Sequence, residues 1–403
     1  MYIPILSSTF PEPRPGPHAT GYAVARIPVA PGERYVGGPK LKTGAPALSL
    51  TESVLAIYYP TPPRPLAAGV PWVPEPLAGA VAGYATYLRK NFGSWSAWAL
   101  GLVLGRVRMP VHAAAPPSAG RFPLVLFSHG LVGTRNTYSH FCSSLASEGY
   151  VVVALEHADG SGPCVIREGE ERLFTRLGQT DLWTDDGTDP AVAPQMMVWR
   201  AHQLDFRVRE VYAAYNGFKR FLSGEGETDG EVSLADQLKD KVDVQDLQLM
   251  GHSFGGATIL RLLQTAPHAE PLPIKRAVLL DPWMEPFGRV LPSSPATTAA
   301  PATQIINSED WANNSFFPAE KKAARDLGAA LCSIVGLGHQ GFSDFGLLSL
   351  KSKAREYLQT IHTLTMARLR DQPYPLEGEE DGGEPRRVEG RLAGEPGDVI
   401  RHF

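Results

Sequence analysis

The chain has little cysteine. Cys142, Cys164 and Cys332 are the only three in 403 residues, an odd number with no metal-ligand spacing, which argues against a disulfide framework and fits reduced thiols. Neither sign of charge is in excess: 38 basic residues stand against 42 acidic ones. No broad basic field is therefore available to nucleic acid, and no acidic surplus marks a solvating, disordered chain. Long apolar runs are missing too. The nearest candidate, residues 95–104, falls well short of the ~20 residues that cross a bilayer. The opening MYIPILSSTFPEPR has no basic start, adequate apolar stretch or small-residue cleavage site, so no secretory leader is expected and the cytoplasm is the expected compartment. With neither a calcium loop nor a paired-histidine zinc motif, no cofactor or metal is expected. The partner these absences leave is a small molecule.

Proline (36) and glycine (40) are plentiful. The prolines gather in residues 10–17, 60–76, 110–123 and 292–301, which read as long loops wrapped around a core. Between them run short apolar and β-branched segments without polar alternation: 123–127, 150–155, 247–250, 277–280, 303–306 and 331–335. Strands of that kind are covered on both faces, the signature of a parallel sheet. Helix-compatible segments at 138–148, 196–222 and 256–264 supply the crossovers. Residues 22–28 and 53–59 form an antiparallel start. The expected architecture is one α/β domain over residues 1–375, a mostly parallel sheet flanked by helices. A C-terminal extension, 376–403, rich in Gly, Glu and Arg, follows it.

Gly251-His252-Ser253-Phe254-Gly255 fits G-x-S-x-G between a strand and a helix, the context in which that motif makes a nucleophile elbow of the α/β-hydrolase fold. Ser253 is the candidate nucleophile, and a serine hydroxyl needs a base at neutral pH. In this fold the order along the chain is serine, acid, histidine. Of the histidines after Ser253, His268 comes too soon, His362 lies in a helical stretch and His402 in the tail. His339 alone follows a late apolar strand in a glycine-flanked loop, LCSIVGLGHQGF. The acid has two candidate sites. Asp281 closes AVLLD one strand after the elbow, while Glu309 and Asp310 close TQIINSED two strands after it, the position the spacing slightly favours. An oxyanion hole needs two backbone N–H donors; Phe254, after the nucleophile, and Leu131, in PLVLFSHGLVGT after an early strand, are the candidates. His129, Trp283 and Gln340, adjacent to these groups, are candidate pocket residues.

FSHGLVGTRNTYS, EHADGSG, LMGHSFGGAT, LLDPWMEP and GHQGFSDF together resemble the platelet-activating factor acetylhydrolases, a family that includes lipoprotein-associated phospholipases and intracellular relatives. Weaker similarity covers most of residues 15–375. The resemblance implies calcium-independent hydrolysis of the short or oxidised acyl group at the middle carbon of a glycerophospholipid. It puts the nucleophile on Ser253, the base on His339, the acid on Asp281 and the oxyanion donors on Leu131 and Phe254. It also implies contact with a lipid surface through residues 94–105, with Trp95, Trp98, Leu100, Leu102 and Leu104 facing lipid; a core helix is the other reading. Two rival functions remain. A general carboxylesterase or polyester hydrolase would keep the same triad, and a catalytically silent lipid-binding module would not react with a fluorophosphonate.

Overall fold

The computed structural model describes residues 9–13, 16–66, 68–89, 94–183, 194–228, 234–265, 270–287, 301–348, 353–373, 387–388 and 391–402. The long strands of the central sheet are β1 (Ala19–Pro28), β2 (Glu52–Thr61), β3 (Phe122–Ser128), β4 (Val151–Glu156), β5 (Val242–His252), β6 (Ile274–Leu280), β7 (Ala302–Ser308), β8 (Ala330–Ile334) and β9 (Val399–Arg401). They lie in the spatial order β1, β2, β4, β3, β5, β6, β7, β8, β9. From β4 to β8 every neighbouring pair is parallel. β1 with β2 and β2 with β4 are antiparallel, as the sequence led us to expect of the chain's start.

The apolar runs sit in the middle because both of their faces are covered. Along β3, Leu124 and Leu126 join one buried cluster, and Val125 and Phe127 join the opposite one. The main helices are α1 (Leu77–Leu88), α2 (Ser94–Leu104), α3 (Ser139–Ser147), α4 (Pro194–Leu222), α5 (Phe254–Gln264), α6 (Phe317–Leu327) and α7 (Ala354–Leu369). Residues of α4, α5 and α6 pack on the Leu124 face, and those of α3 and α7 on the Val125 face. This is the α/β-hydrolase arrangement that the elbow motif implied.

Strand order also decides where a ligand can sit. The chain leaves β3 for β4 on one flank and later returns to β5 on the other. A crevice opens outside the carboxyl ends of parallel strands at such a reversal. The ends of β3 and β5 are neighbours there, with Ser128 opposite Gly251.

Two expectations need amendment. In α2, Trp95 and Trp98 are 77% and 59% exposed, and Leu102 and Val103 are exposed as well. Leu104, expected to face lipid, is instead buried in the core, and Leu100 packs against that core. The apolar circumference of the helix divides between a buried side and an exposed one. At the other terminus, the extension at 376–403 is tied into the sheet, since β9 pairs antiparallel with β8. Residues 376–386, 389–390 and 403 of that extension, and the proline stretch 292–301 up to its last residue, lie outside the described residues. No helix among the described residues is long and apolar enough to cross a membrane.

Candidate active site

β5 ends at His252 and α5 begins at Phe254, leaving Ser253 alone in the turn at φ 56° and ψ −115°. That backbone is unusual for a non-glycine residue and persists only where the surroundings enforce it. Two small residues make the turn possible. A Cβ on Gly255 would sit 1.9 Å from the Ser128 carbonyl oxygen, and one on Gly251 would sit 2.4 Å from the Gly255 carbonyl oxygen. Ser253 N–H donates to the Leu280 carbonyl (2.8 Å), and Trp283 N–H donates to the Ser253 carbonyl (3.0 Å). The serine is thereby pinned against the end of β6.

The residue after β6 is Asp281, fully buried and itself at φ 42°. Its Oδ1 accepts the Ser308 N–H (2.6 Å) and its Oδ2 accepts the Ser308 hydroxyl (2.6 Å). His339 reaches back from the loop after β8, with Nδ1 2.9 Å from Asp281 Oδ2 and Nε2 3.0 Å from Ser253 Oγ. The carboxylate acceptor fixes the tautomer: Nδ1 carries the proton and donates it, so Nε2 is free to accept from the serine. Burial pushes the Asp281 carboxyl above its ordinary value, and the hydrogen bonds from His339 and Ser308 oppose that rise. Trp311 lies flat on the imidazole, ring centres 3.8 Å apart and planes 5° apart, and its Nε1–H donates to the Pro282 carbonyl. The ring of His339 is held in plane as well as in distance.

The two rival acids do other work. Asp310 Oδ2 accepts the backbone N–H of His339 at 3.1 Å. Glu309 accepts the N–H of Gly336 at 2.8 Å and that of Leu392 at 3.2 Å. Both carboxylates shape the loop that delivers the imidazole, and neither is the acid on its Nδ1. Strand spacing favoured them slightly. The structure puts Asp281 in that position because β6 lies directly beside β5, with Leu280 opposite His252.

The loop after β3 is clamped peptide by peptide. The His129 carbonyl accepts from Arg207 Nη1 (2.6 Å), and the Gly130 N–H of the same peptide donates to the Tyr138 hydroxyl (3.1 Å). The Gly130 carbonyl accepts from His129 Nδ1 (2.8 Å) and Gly133 N–H (3.0 Å). A trans peptide sets its N–H opposite its carbonyl, so those two donors fix where the Leu131 N–H points. Gly130 N–H and Val132 N–H have protein acceptors, whereas those of Leu131 and Phe254 have none among the described residues. Arg207 is itself buried and paired with Asp159 (2.8 Å) and the Ser161 hydroxyl (2.5 Å). The Tyr138 hydroxyl, having accepted from Gly130, donates to His252 Nδ1 at 2.7 Å. Burial and the neighbouring His339 hold His252 well below the usual histidine value, so it stays neutral.

Of the candidate pocket residues, Trp283 lines a cavity of about 760 Å³ together with Leu131. His129 does not; it is buried, with Nε2 accepting the His157 N–H (3.2 Å), and serves the loop from behind. Gln340 is exposed and lies off that cavity. One set of three side chains among the described residues, His252, Asp281 and His339, has donor atoms close enough to share an ion. Asp281 and His339 bond to each other, to Ser308 and to Ser253, and His252 Nδ1 bonds to Tyr138, while His252 Nε2 has no hydrogen-bond partner among the described residues.

Residues 20–359 match the family model described as platelet-activating factor acetylhydrolase, isoform II. The chain belongs to that family. Platelet-activating factor acetylhydrolase of Gallus gallus is 28% identical over 346 residues, covering 80% of this chain and 75% of that protein. The enzyme of the same name from Cavia porcellus is 28% identical over 359 residues, covering 83% and 74%. A putative phospholipase A2 of Schizosaccharomyces pombe is 28% identical over 246 residues, covering 55% of this chain and 54% of its own. Among solved structures, the ferulic acid esterase of Streptomyces cinnamoneus superposes with a TM-score of 0.58 at 19% identity, over 91% of this chain and 94% of that one. The last likeness speaks to fold alone. As a member of the acetylhydrolase family, the protein is a serine hydrolase acting on esters.

Sequence reading missed the supports. Ser308, Trp311, Tyr138 and Arg207 carry no motif of their own. TRNTYS and EHADGSG, quoted above only as signs of kinship, contain Tyr138, Asp159 and Ser161, which hold the loop after β3 in place.

Proposed function

We propose that the protein hydrolyses the short or oxidised sn-2 acyl group of a glycerophospholipid through an acyl-enzyme on Ser253. Ser253 Oγ attacks the carbonyl carbon and its proton passes to His339 Nε2, while Asp281 holds Nδ1–H and stabilises the imidazolium. The Leu131 and Phe254 N–H groups receive the oxyanion. The tetrahedral centre collapses, the ester C–O bond breaks, and the alcohol leaves with the proton from Nε2. Water then repeats the attack on the acyl-enzyme, again through His339, and releases the carboxylic acid.

The observation that carries this reading is the unbroken line from Asp281 through His339 to Ser253, at 2.9 and 3.0 Å. The names borne by the Gallus gallus and Cavia porcellus relatives supply the substrate class. The exposed side of α2, with Trp95 and Trp98, suits shallow docking on a lipid surface, where tryptophan sits between headgroup and acyl chain. Three free, buried cysteines fit a cytoplasmic address.

Rates on a series of sn-2 esters, from acetyl to long acyl, with and without the phosphocholine headgroup, test the proposal. Preference for short or oxidised chains on a phospholipid is the expected result. Indifference to both chain length and headgroup would replace it with a general carboxylesterase.

A further inference from the structure

The cavity beside the oxyanion loop has a wall that the chemistry above does not use. Its volume, about 760 Å³, is in the range of small-molecule sites. Leu131 and Trp283 form the end nearest the serine, and Phe174 and Met197 make much of the rest apolar. Into this apolar setting α4 brings Arg200, only 3% exposed.

Among the described residues, Arg200 is a buried cation with no carboxylate within ion-pair distance. Its Nη1 donates to the Gln203 side-chain oxygen (2.5 Å), and its guanidinium sits 5.6 Å from the centre of the Phe174 ring. Its Nε is buried with no hydrogen-bond partner, and no carboxylate among the described residues pairs with it. Arg207, two turns further along the same helix, shows the contrast: it too is buried, but Asp159 neutralises it. Burial lowers the Arg200 pKa to about 10 against the attraction of Asp159, which is already bonded to Arg207, and Arg200 stays charged at neutral pH. A charge withdrawn from water is tolerated when something of opposite sign completes it. Arg176 lines the same cavity, its guanidinium held by the Thr86 carbonyl.

We propose that Arg200 is the anion-recognition residue of the substrate pocket, so that the substrate arm entering this cavity carries an oxyanion, either a carboxylate or a phosphate. The proposal rests on Ser253 as nucleophile and deepens the substrate class. The guanidinium presents planar N–H donors that match either oxyanion. A carboxylate would come from an oxidised acyl chain and a phosphate from the headgroup, and either would give the guanidinium a directly bonded counter-charge.

The test compares wild type with Arg200→Gln and Arg200→Lys on matched esters. One pair is p-nitrophenyl butyrate and mono-p-nitrophenyl glutarate, which differ by a terminal carboxylate. The other is a 1-alkyl-2-acetylglycerol and its phosphocholine derivative. Arg200→Gln is expected to lower kcat/KM about tenfold or more, mainly through KM, on the charged member of one pair. Both neutral esters stay within about twofold of wild type, and Arg200→Lys recovers part of the loss. The affected pair identifies the anion. Equal losses on neutral and charged esters, or no loss on either charged ester, would overturn the proposal. Should Arg200→Gln fail to fold, wild type alone decides. Glutarate or glycerol 3-phosphate then competes with p-nitrophenyl butyrate where butyramide and glycerol do not, and lack of competition by both anions refutes the idea. Fluorophosphonate labelling of Ser253 in the same samples keeps the two claims apart: labelled protein without charge discrimination sinks Arg200 alone, and unlabelled wild type sinks the serine.

Discussion

Tyr138→Phe removes a single oxygen and probes the oxyanion loop without touching the candidate triad. That oxygen accepts the Gly130 N–H at 3.1 Å and donates to His252 Nδ1 at 2.7 Å. Without it a buried peptide N–H loses its acceptor, which costs about 1–3 kcal/mol of stability. The His129–Gly130 peptide would then be held only by Arg207 at its carbonyl, and the next peptide carries the Leu131 donor. Complete loss of one oxyanion donor lowers kcat by about 10²–10³. Partial misalignment should fall below that, at roughly tenfold, or about 1.4 kcal/mol. Because the hole serves the transition state more than the bound ester, KM for a small soluble ester should hardly move. The assay is steady-state hydrolysis of p-nitrophenyl acetate together with thermal unfolding of the same preparations. A lower Tm with unchanged kcat would show that the hydroxyl only stabilises the fold. A loss in kcat as deep as that of Ser253→Ala would place Tyr138 in the chemistry, and either result would refute the clamp.

Asp281→Asn should lower kcat by about 10²–10⁴, since the amide no longer enforces the Nδ1–H tautomer, whereas Asp310→Asn, which touches only the His339 backbone, should lose about tenfold or less; kinetics of the two variants side by side checks the assignment. Trp95→Ala with Trp98→Ala should weaken sedimentation with phosphatidylcholine vesicles while leaving hydrolysis of a monomeric ester intact, given how exposed both rings are. Asp344, buried at the start of α3, accepts from Ser139, His140 and Trp72, and burial raises its carboxyl to about 7. Folding therefore favours its protonated form: the stabilisation is full below the unfolded value of 3.8 and is lost as pH rises through about 7. A displacement of that size corresponds to on the order of 4 kcal/mol. Asp344→Asn does not titrate, so its Tm relative to wild type should climb between pH 4 and pH 8, as followed by thermal melts in a pH series; a flat difference would refute this.

The central strands were legible because a parallel sheet buried on both faces leaves no room for polar alternation, and segments such as PLVLF and YVVVAL have none. The meeting of Ser253 with His339 was legible from chain order and from glycine-flanked turns. Which carboxylate meets His339 Nδ1 was not legible from the residues, because strand adjacency decides it. Asp281 follows the strand that pairs with β5, while Glu309 and Asp310 bond to backbone N–H groups, an occupation that leaves no mark in sequence. α2 misled for a related reason. A helix apolar all round gives no sign of which side is covered, and Leu104 proved to be on the buried one. Strand β9 was hidden by its setting, since Gly, Glu and Arg dominate the residues before it. The partners of Arg207 lie 46 to 78 positions away along the chain, beyond the reach of any local pattern.

Peptide mapping after reaction with a fluorophosphonate, on wild type and on His339→Gln, addresses the nucleophile itself. The adduct should fall on Ser253 in wild type, with labelling slowed by orders of magnitude once the base is gone. An adduct on another residue, or equal labelling rates in the two proteins, would contradict the line of hydrogen bonds from Asp281 to Ser253 as the source of activity.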